Sequence, residues 1–149
     1  MRCDILTLFP DMVAPVLGQS ILKRAQEKGL LHIRVHNLRD YTLDRHKVAD
    51  DVPYGGGAGM VMKAEPILRA VEEIQADYTR DGEQIRLLFP SPHGRPFTQD
   101  YAKNLAADQR RLVILCGHYE GVDERVRLAL HPEEISVGDY VLTGGELPA

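Results

Sequence analysis

The sequence predicts an α/β domain, a parallel sheet flanked by helices. Two observations carry that expectation. Short apolar runs alternate with segments of helical period, the order that builds parallel strands covered by crossover helices. The run "RLVILC" (111–116) is apolar almost throughout, as a strand buried on both faces requires. A chain of 149 residues is long enough for one domain with its own core.

Each element is read in order. "CDILTLF" (Cys3 to Phe9) is an apolar strand stopped by Pro10. "SILKRAQEKG" is a helix with Ser20 as N-cap and Gly29 as its C-terminal stop. "LLHIRVH" alternates apolar and polar residues, the pattern of a second strand. From Asn37 to about Lys63 no period is visible, and an irregular stretch of that length is usually functional or disordered. "EPILRAVEEIQAD" places Ile67, Leu68, Val71 and Ile74 at helical spacing, with Pro66 in the first turn. "IRLLF" is a strand and "PSPHGRP" the loop after it; Thr98 then caps the helix "TQDYAKNLAA" before the strand at 111–116. No repeat, linker or low-complexity tract interrupts this single domain, residues 1–149.

Composition narrows the class. Hydrophobic residues at 44% and charged residues at 27% are ordinary for a soluble globular protein. No apolar run approaches the roughly 20 residues of a membrane span, and "MRCDILTLFP" does not read as a signal peptide. Cys3 and Cys116 make no disulfide framework, which points to reduced thiols and a cytoplasmic location. A net charge of −4 argues mildly against a phosphate-gripping partner. The local clusters Arg39, Arg45, His46, Lys47 and Arg110, Arg111 soften that argument, although such runs are commonly solvated faces.

"DDVPYGGGAGMVMK" (50–63) holds Gly55, Gly56, Gly57 and Gly59, a density that suggests backbone lying close to a ligand. It does not match a phosphate loop. Counted from Gly55, the Gly and Lys of a Walker A motif fall on Met60 and Val61, and Ala64 follows Lys63. The dinucleotide pattern fails too, because its last glycine falls on Met60 or Met62.

In parallel sheets ligands sit beyond the carboxyl ends of the strands. Three stretches fall there: "PSPHGRP", "GHYEGVDERV" and "SVGDYVLTGGELPA". Tyr119 and Tyr140 could stack on a flat ring, and Glu120 and Asp139 could accept hydrogen bonds. Plainer roles stand beside these. Asp123 and Glu124 suit the first turn of a helix, His118 suits a structural or exposed position, and Cys116 suits the core. Metal-site spacings such as H-E-x-x-H or C-x-x-C are not present, so no metal is expected. The residues by themselves describe an α/β domain with a ligand edge.

"LFPDM", "DRHKVADDVPYGGGAGMVM", "SPHGR", "LCGHYEGVDERV" and "SVGDYVLTGGELPA" together resemble the bacterial tRNA (guanine-N1)-methyltransferases, of the SPOUT class, from Asp4 to Ala149 in order. The resemblance implies an S-adenosylmethionine-dependent enzyme acting on N1 of the guanine 3′ of the tRNA anticodon. It also implies a trefoil-knotted fold and a homodimer; chain threading is too rare for periodicity to suggest it. The resemblance puts Phe89, Pro90, Ser91 and Pro92 over the methyl donor. Gly117, Tyr119, Glu120 and Gly121 form a second wall. Val137, Gly138, Asp139, Tyr140, Val141 and Leu142, with Gly144, Gly145 and Pro148, close the third. On the substrate side it implies Glu120, Arg45, His46, Asp50 and Gly59, with the glycine loop facing tRNA. The general-base Asp and its helper Arg are expected C-terminal to "GGELPA", past Ala149, so no catalytic residue is assigned within the chain.

Two other readings stand at this stage. These residues could bind donor and dimerise without turnover, which methyl transfer to tRNA would exclude. Alternatively the glycine loop could serve a phosphate-handling hydrolase, which preferential ATP binding would support.

Overall fold

A computed structural model describes residues 1–53, 55–79 and 84–149; Tyr54 of the glycine loop lies outside the described residues. The elements are β1 (Arg2–Thr7), α1 (Pro10–Leu17), α2 (Ser20–Glu27), β2 (His32–Asn37), β3 (Asp50–Asp51), β4 (Val61–Met62), α3 (Ala64–Thr79), β5 (Ile85–Pro96), α4 (Gln99–Ala107), β6 (Arg111–Leu115), α5 (Glu124–Leu130) and β7 (Glu133–Ser136). Five strands form one sheet in the order β2-β1-β6-β5-β7. Every pairing in it is parallel, with Cys3 opposite both Ile33 and Leu112, and Leu87 opposite Val113.

Why β6 lies at the centre follows from its side chains. Val113 and Leu115 point into a core under α3, and Leu112 joins a second core on the opposite face with Tyr101 and Leu105 of α4. Each such aliphatic side chain contributes about 1.5–3 kcal/mol when fully buried. Helix α3 buries Ile67, Val71, Ile74 and Tyr78, spaced along a single stripe. Thr98 accepts from the Tyr101 amide at 3.2 Å as the N-cap of α4, and Asp123 accepts from the Arg125 amide at 2.9 Å as that of α5.

Two expectations are corrected, one is extended and one element was not anticipated. Pro10 does more than stop β1: it is the first residue of α1, where its missing N–H costs nothing. Ser20 is not the cap of α2, because Gln19 holds that position and Ser20 itself adopts φ 50°. "PSPHGRP" is not simply a loop. Strand β5 pairs Pro90 with Ile135, bulges through 91–94, and pairs Arg95 with the same Ile135 before ending at Pro96. Gly94 is needed there, since a Cβ would stand 2.5 Å from the Ile135 backbone. Finally, "EEIS" is a fifth strand, held on β5 with Glu133 on Arg86 (2.6 Å) and Glu134 near Arg127 (3.4 Å).

Within the irregular stretch from Asn37, Leu38–Tyr41 make a 3-10 turn, and β3 and β4 form a two-residue antiparallel ribbon that closes the glycine loop.

Candidate functional site

Parallel strands put their carboxyl ends on one side of the sheet, and the cleft forms there. The bulge of β5 supplies the first wall. Residues 117–121, directly after β6, supply the second. The loop after β7 supplies the third, and the three enclose a cleft of about 260 Å³.

Close backbone approach joins the walls. The Gly145 amide donates to the Gly117 carbonyl at 2.7 Å, and a Cβ on Gly145 would stand 2.8 Å from Cys116 Cα. Tyr140 folds its ring over Gly138, where a side chain would strike it. On the second wall Tyr119 adopts φ 59° and Gly121 φ 135°. That turn docks on the glycine-loop ribbon: the Glu120 amide donates to Met60 O and the Met62 amide to Gly121 O, both at 3.0 Å.

The residues assigned to the donor all line this cleft except Asp139, which lies outside its wall. Its neighbours in the loop, Gly138 and Tyr140, do the lining. His93, His118, Arg127 and Thr143 were not anticipated as lining residues. Arg127 arrives there because α5 starts right after the second wall, which lays its guanidinium carbon 5.3 Å from the centre of the Phe89 ring.

The substrate-side residues divide. A Cβ built on Gly59 would fall 2.8 Å from Glu120 Oε1, so the glycine loop touches the cleft at that carboxylate. Asp50 joins it through Tyr119. Burial raises the pKa of the Tyr119 phenol, and a hydrogen bond to Asp50 raises it further. Arg39 stands 3.8 Å from the same Asp50. Arg45 and His46 do not join them. Both are exposed on a turn in which Asp44 accepts from the His46 and Val48 amides, and neither lines the cleft.

One buried carboxylate had no signal in local periodicity. Glu146 accepts from the Thr7 hydroxyl at 2.7 Å and stands 3.2 Å from His118 Nδ1. Among the described residues no three His, Cys, Asp or Glu side chains are grouped to hold a metal ion, and no helix is long and apolar enough to cross a membrane.

The family described as tRNA (Guanine-1)-methyltransferase TrmD matches the chain over residues 1–149. A tRNA (guanine-N(1)-)-methyltransferase of Desulforamulus reducens is 56% identical over 149 residues, which is 100% of this chain and 58% of that protein. One from Staphylococcus epidermidis is 52% identical, with 100% and 58% covered. One from Chloroflexus aurantiacus is 55% identical, with 100% and 57% covered. The chain thus spans about 58% of the length of curated relatives that it matches end to end.

Proposed function

The chain belongs to the tRNA (guanine-1)-methyltransferase family, and from that premise we propose that it is the S-adenosylmethionine-binding part of an enzyme that methylates guanine N1, 3′ of the tRNA anticodon. One observation carries the reading: three loops at the carboxyl end of a parallel sheet enclose a single cleft whose walls meet at glycines.

The residues present fit such a donor. Gly117 and Gly145 pack backbone to backbone, so no side chain at that seam stands in the way of a flat purine. Pro90, Val137 and Leu142 give the cleft apolar surface, and Tyr140 offers a ring face. When bound, S-adenosylmethionine supplies a methyl group on a cationic sulfur, already activated for transfer. What remains for the protein is alignment of nucleophile and methyl group, and removal of the N1 proton. Glu120, against Gly59 at the mouth of the glycine loop, is assigned to contact with the guanine. Base splaying into a glycine-lined opening suits how RNA is commonly read. Deprotonation is assigned to the Asp, assisted by the Arg, that the resemblance puts past Ala149. A cytoplasmic homodimer and the knotted topology belong to the same proposal.

Calorimetric titration with S-adenosylhomocysteine, with ATP as control, tests it. Saturable binding of the homocysteine compound alone is the expected result. Preference for ATP, or no binding by this chain and by a version extended to the relatives' full length, overturns it. The 58% share of the relatives favours a second reading of these residues taken alone, donor binding and pairing without turnover. Methyl transfer from labelled donor to tRNA, together with sedimentation mass, separates the two.

A further inference from the structure

We infer that Glu146 is a positioning residue that holds His118 as its Nδ1–H tautomer, presenting the Nε2 lone pair to the cleft as a hydrogen-bond acceptor for the adenosyl ligand. The ligand half of this inference rests on the function proposed above; the tautomer half rests on geometry and on the acceptor-only chemistry of a carboxylate.

The Glu146 side chain is fully enclosed, at 0% exposure. A carboxylate so placed is costly unless hydrogen bonds satisfy both oxygens. Oε1 takes the Thr7 hydroxyl at 2.7 Å. The direction of that bond is set by a third group, because the Phe9 amide donates to the same Thr7 oxygen at 2.9 Å. A hydroxyl has one proton to give, and with its oxygen accepting from Phe9 that proton goes to Glu146. Oε2 is left with His118 Nδ1, at 3.2 Å. An ionised carboxylate only accepts, so Nδ1 carries the hydrogen, and in the neutral ring Nε2 is then bare.

The surroundings hold the ring in that pose. Phe9 packs against it at 4.4 Å and Tyr119 meets it edge-on at 4.9 Å. The His118 amide donates to Met62 Sδ at 3.2 Å, fixing the backbone. Gly144 pairs with His118 across an antiparallel bridge, and a side chain on it would collide with both Glu146 Oε2 and His118 Nδ1. His118 lines the cleft, and among the described residues its Nε2 has no partner. A carboxylate orienting an imidazole through one nitrogen, so that the other meets the ligand, is a recurrent arrangement where tautomer matters.

Long-range proton–nitrogen correlation spectra of protein labelled with 15N-histidine, taken at mildly alkaline pH, test this. The His118 signals are identified by their loss in His118→Asn. The wild type is expected to show a protonated Nδ1 and a bare Nε2, with the Nε2 resonance moving on saturation with S-adenosylhomocysteine. Glu146→Gln keeps the shape and still accepts from Thr7, but its amide donates to Nδ1. The proton should then move to Nε2, and affinity for S-adenosylhomocysteine should fall about tenfold, the loss of one hydrogen bond. A role confined to stability would leave the tautomer where it was. The inference is overturned by wild-type His118 carrying its proton on Nε2, or by an Nε2 resonance that saturating ligand does not move. The wild-type spectrum decides this even where Glu146→Gln fails to fold. If neither the wild type nor its version extended to the relatives' full length takes up S-adenosylhomocysteine, the donor reading fails and the ligand half goes with it, while the tautomer in the same spectrum still decides the role of Glu146.

Discussion

Gly59 lies directly against Glu120: a Cβ on this glycine would come within 2.5 Å of Glu120 Cγ. The contact joins two segments that are far apart in the chain, the glycine loop and the turn after β6. It also answers why a glycine stands there, since φ is +99° and the space a side chain needs is already filled.

Gly59→Ala should therefore cost more than strain. A non-glycine residue in the left-handed region costs about 1–2 kcal/mol, and here Glu120 must move as well. Gly56→Ala is the control, because φ is +79° but nothing lies within 4 Å of its Cβ. Both variants should lose stability in urea melts, Gly59→Ala the more. Only Gly59→Ala should lower methylation of tRNA by full-length enzyme; equal activity in the two would remove Glu120 from the guanine site.

Gly145→Ala tests the junction of the second and third walls. Its Cβ would meet Cys116 Cα and Gly117 N, backbone atoms that cannot rotate away. Overpacking of this kind costs about 1–3 kcal/mol. Calorimetry should find S-adenosylhomocysteine binding lost while circular dichroism still reports the native helix content. Unchanged affinity would mean the walls can part without harm.

Acid should act through Asp4. This carboxyl is 2% exposed, and burial alone would raise its pKa. Hydrogen bonds to His36 Nε2, at 2.7 Å, and to the Tyr78 hydroxyl outweigh burial and bring it below the ordinary carboxylate value. A depressed folded-state pKa adds stability that is present above the unfolded value of about 3.9 and is lost as pH falls through the folded one. Asp4→Asn should destabilise the protein at neutral pH by about 1–3 kcal/mol and flatten the acid limb of a stability–pH curve. An unchanged limb would assign acid sensitivity to other carboxylates.

Neither thiol should react in the folded protein. Burial, with the charge of Asp4 adding to it, pushes Cys3 up to about 12. Burial raises Cys116 as well, with Glu146 the next contributor. The thiolate is the reactive form, so a colorimetric thiol reagent should find both sulfurs only after denaturation. Rapid reaction under native conditions would mean that the strand ends open.

Much of this molecule was legible in its sequence, and for a local reason. The strand at 111–116, the stripe of α3 and the Thr98 cap each depend on residues within a few positions, so period and capping chemistry reveal them. Glycine-rich stretches after β6 and near the end of the chain marked the cleft, because turning backbone needs glycine wherever it is. Ser20 was misread and β7 passed over. Each had the residue type of one role while its neighbours in space assigned another: the carboxylates of "EEIS" hide a strand until Arg86 and Arg127 are placed beside it.

What the sequence determined by itself was the order of elements, the two-faced burial of the central strand and the positions where backbone could approach a ligand. What only the tertiary structure decided was which distant groups share a proton. Thr7 and Glu146 are 139 positions apart, and no periodicity spans that distance. They meet because parallel strands deliver all their carboxyl ends to one edge, where a hydrogen bond forms between whatever side chains the fold brings within 3 Å or so.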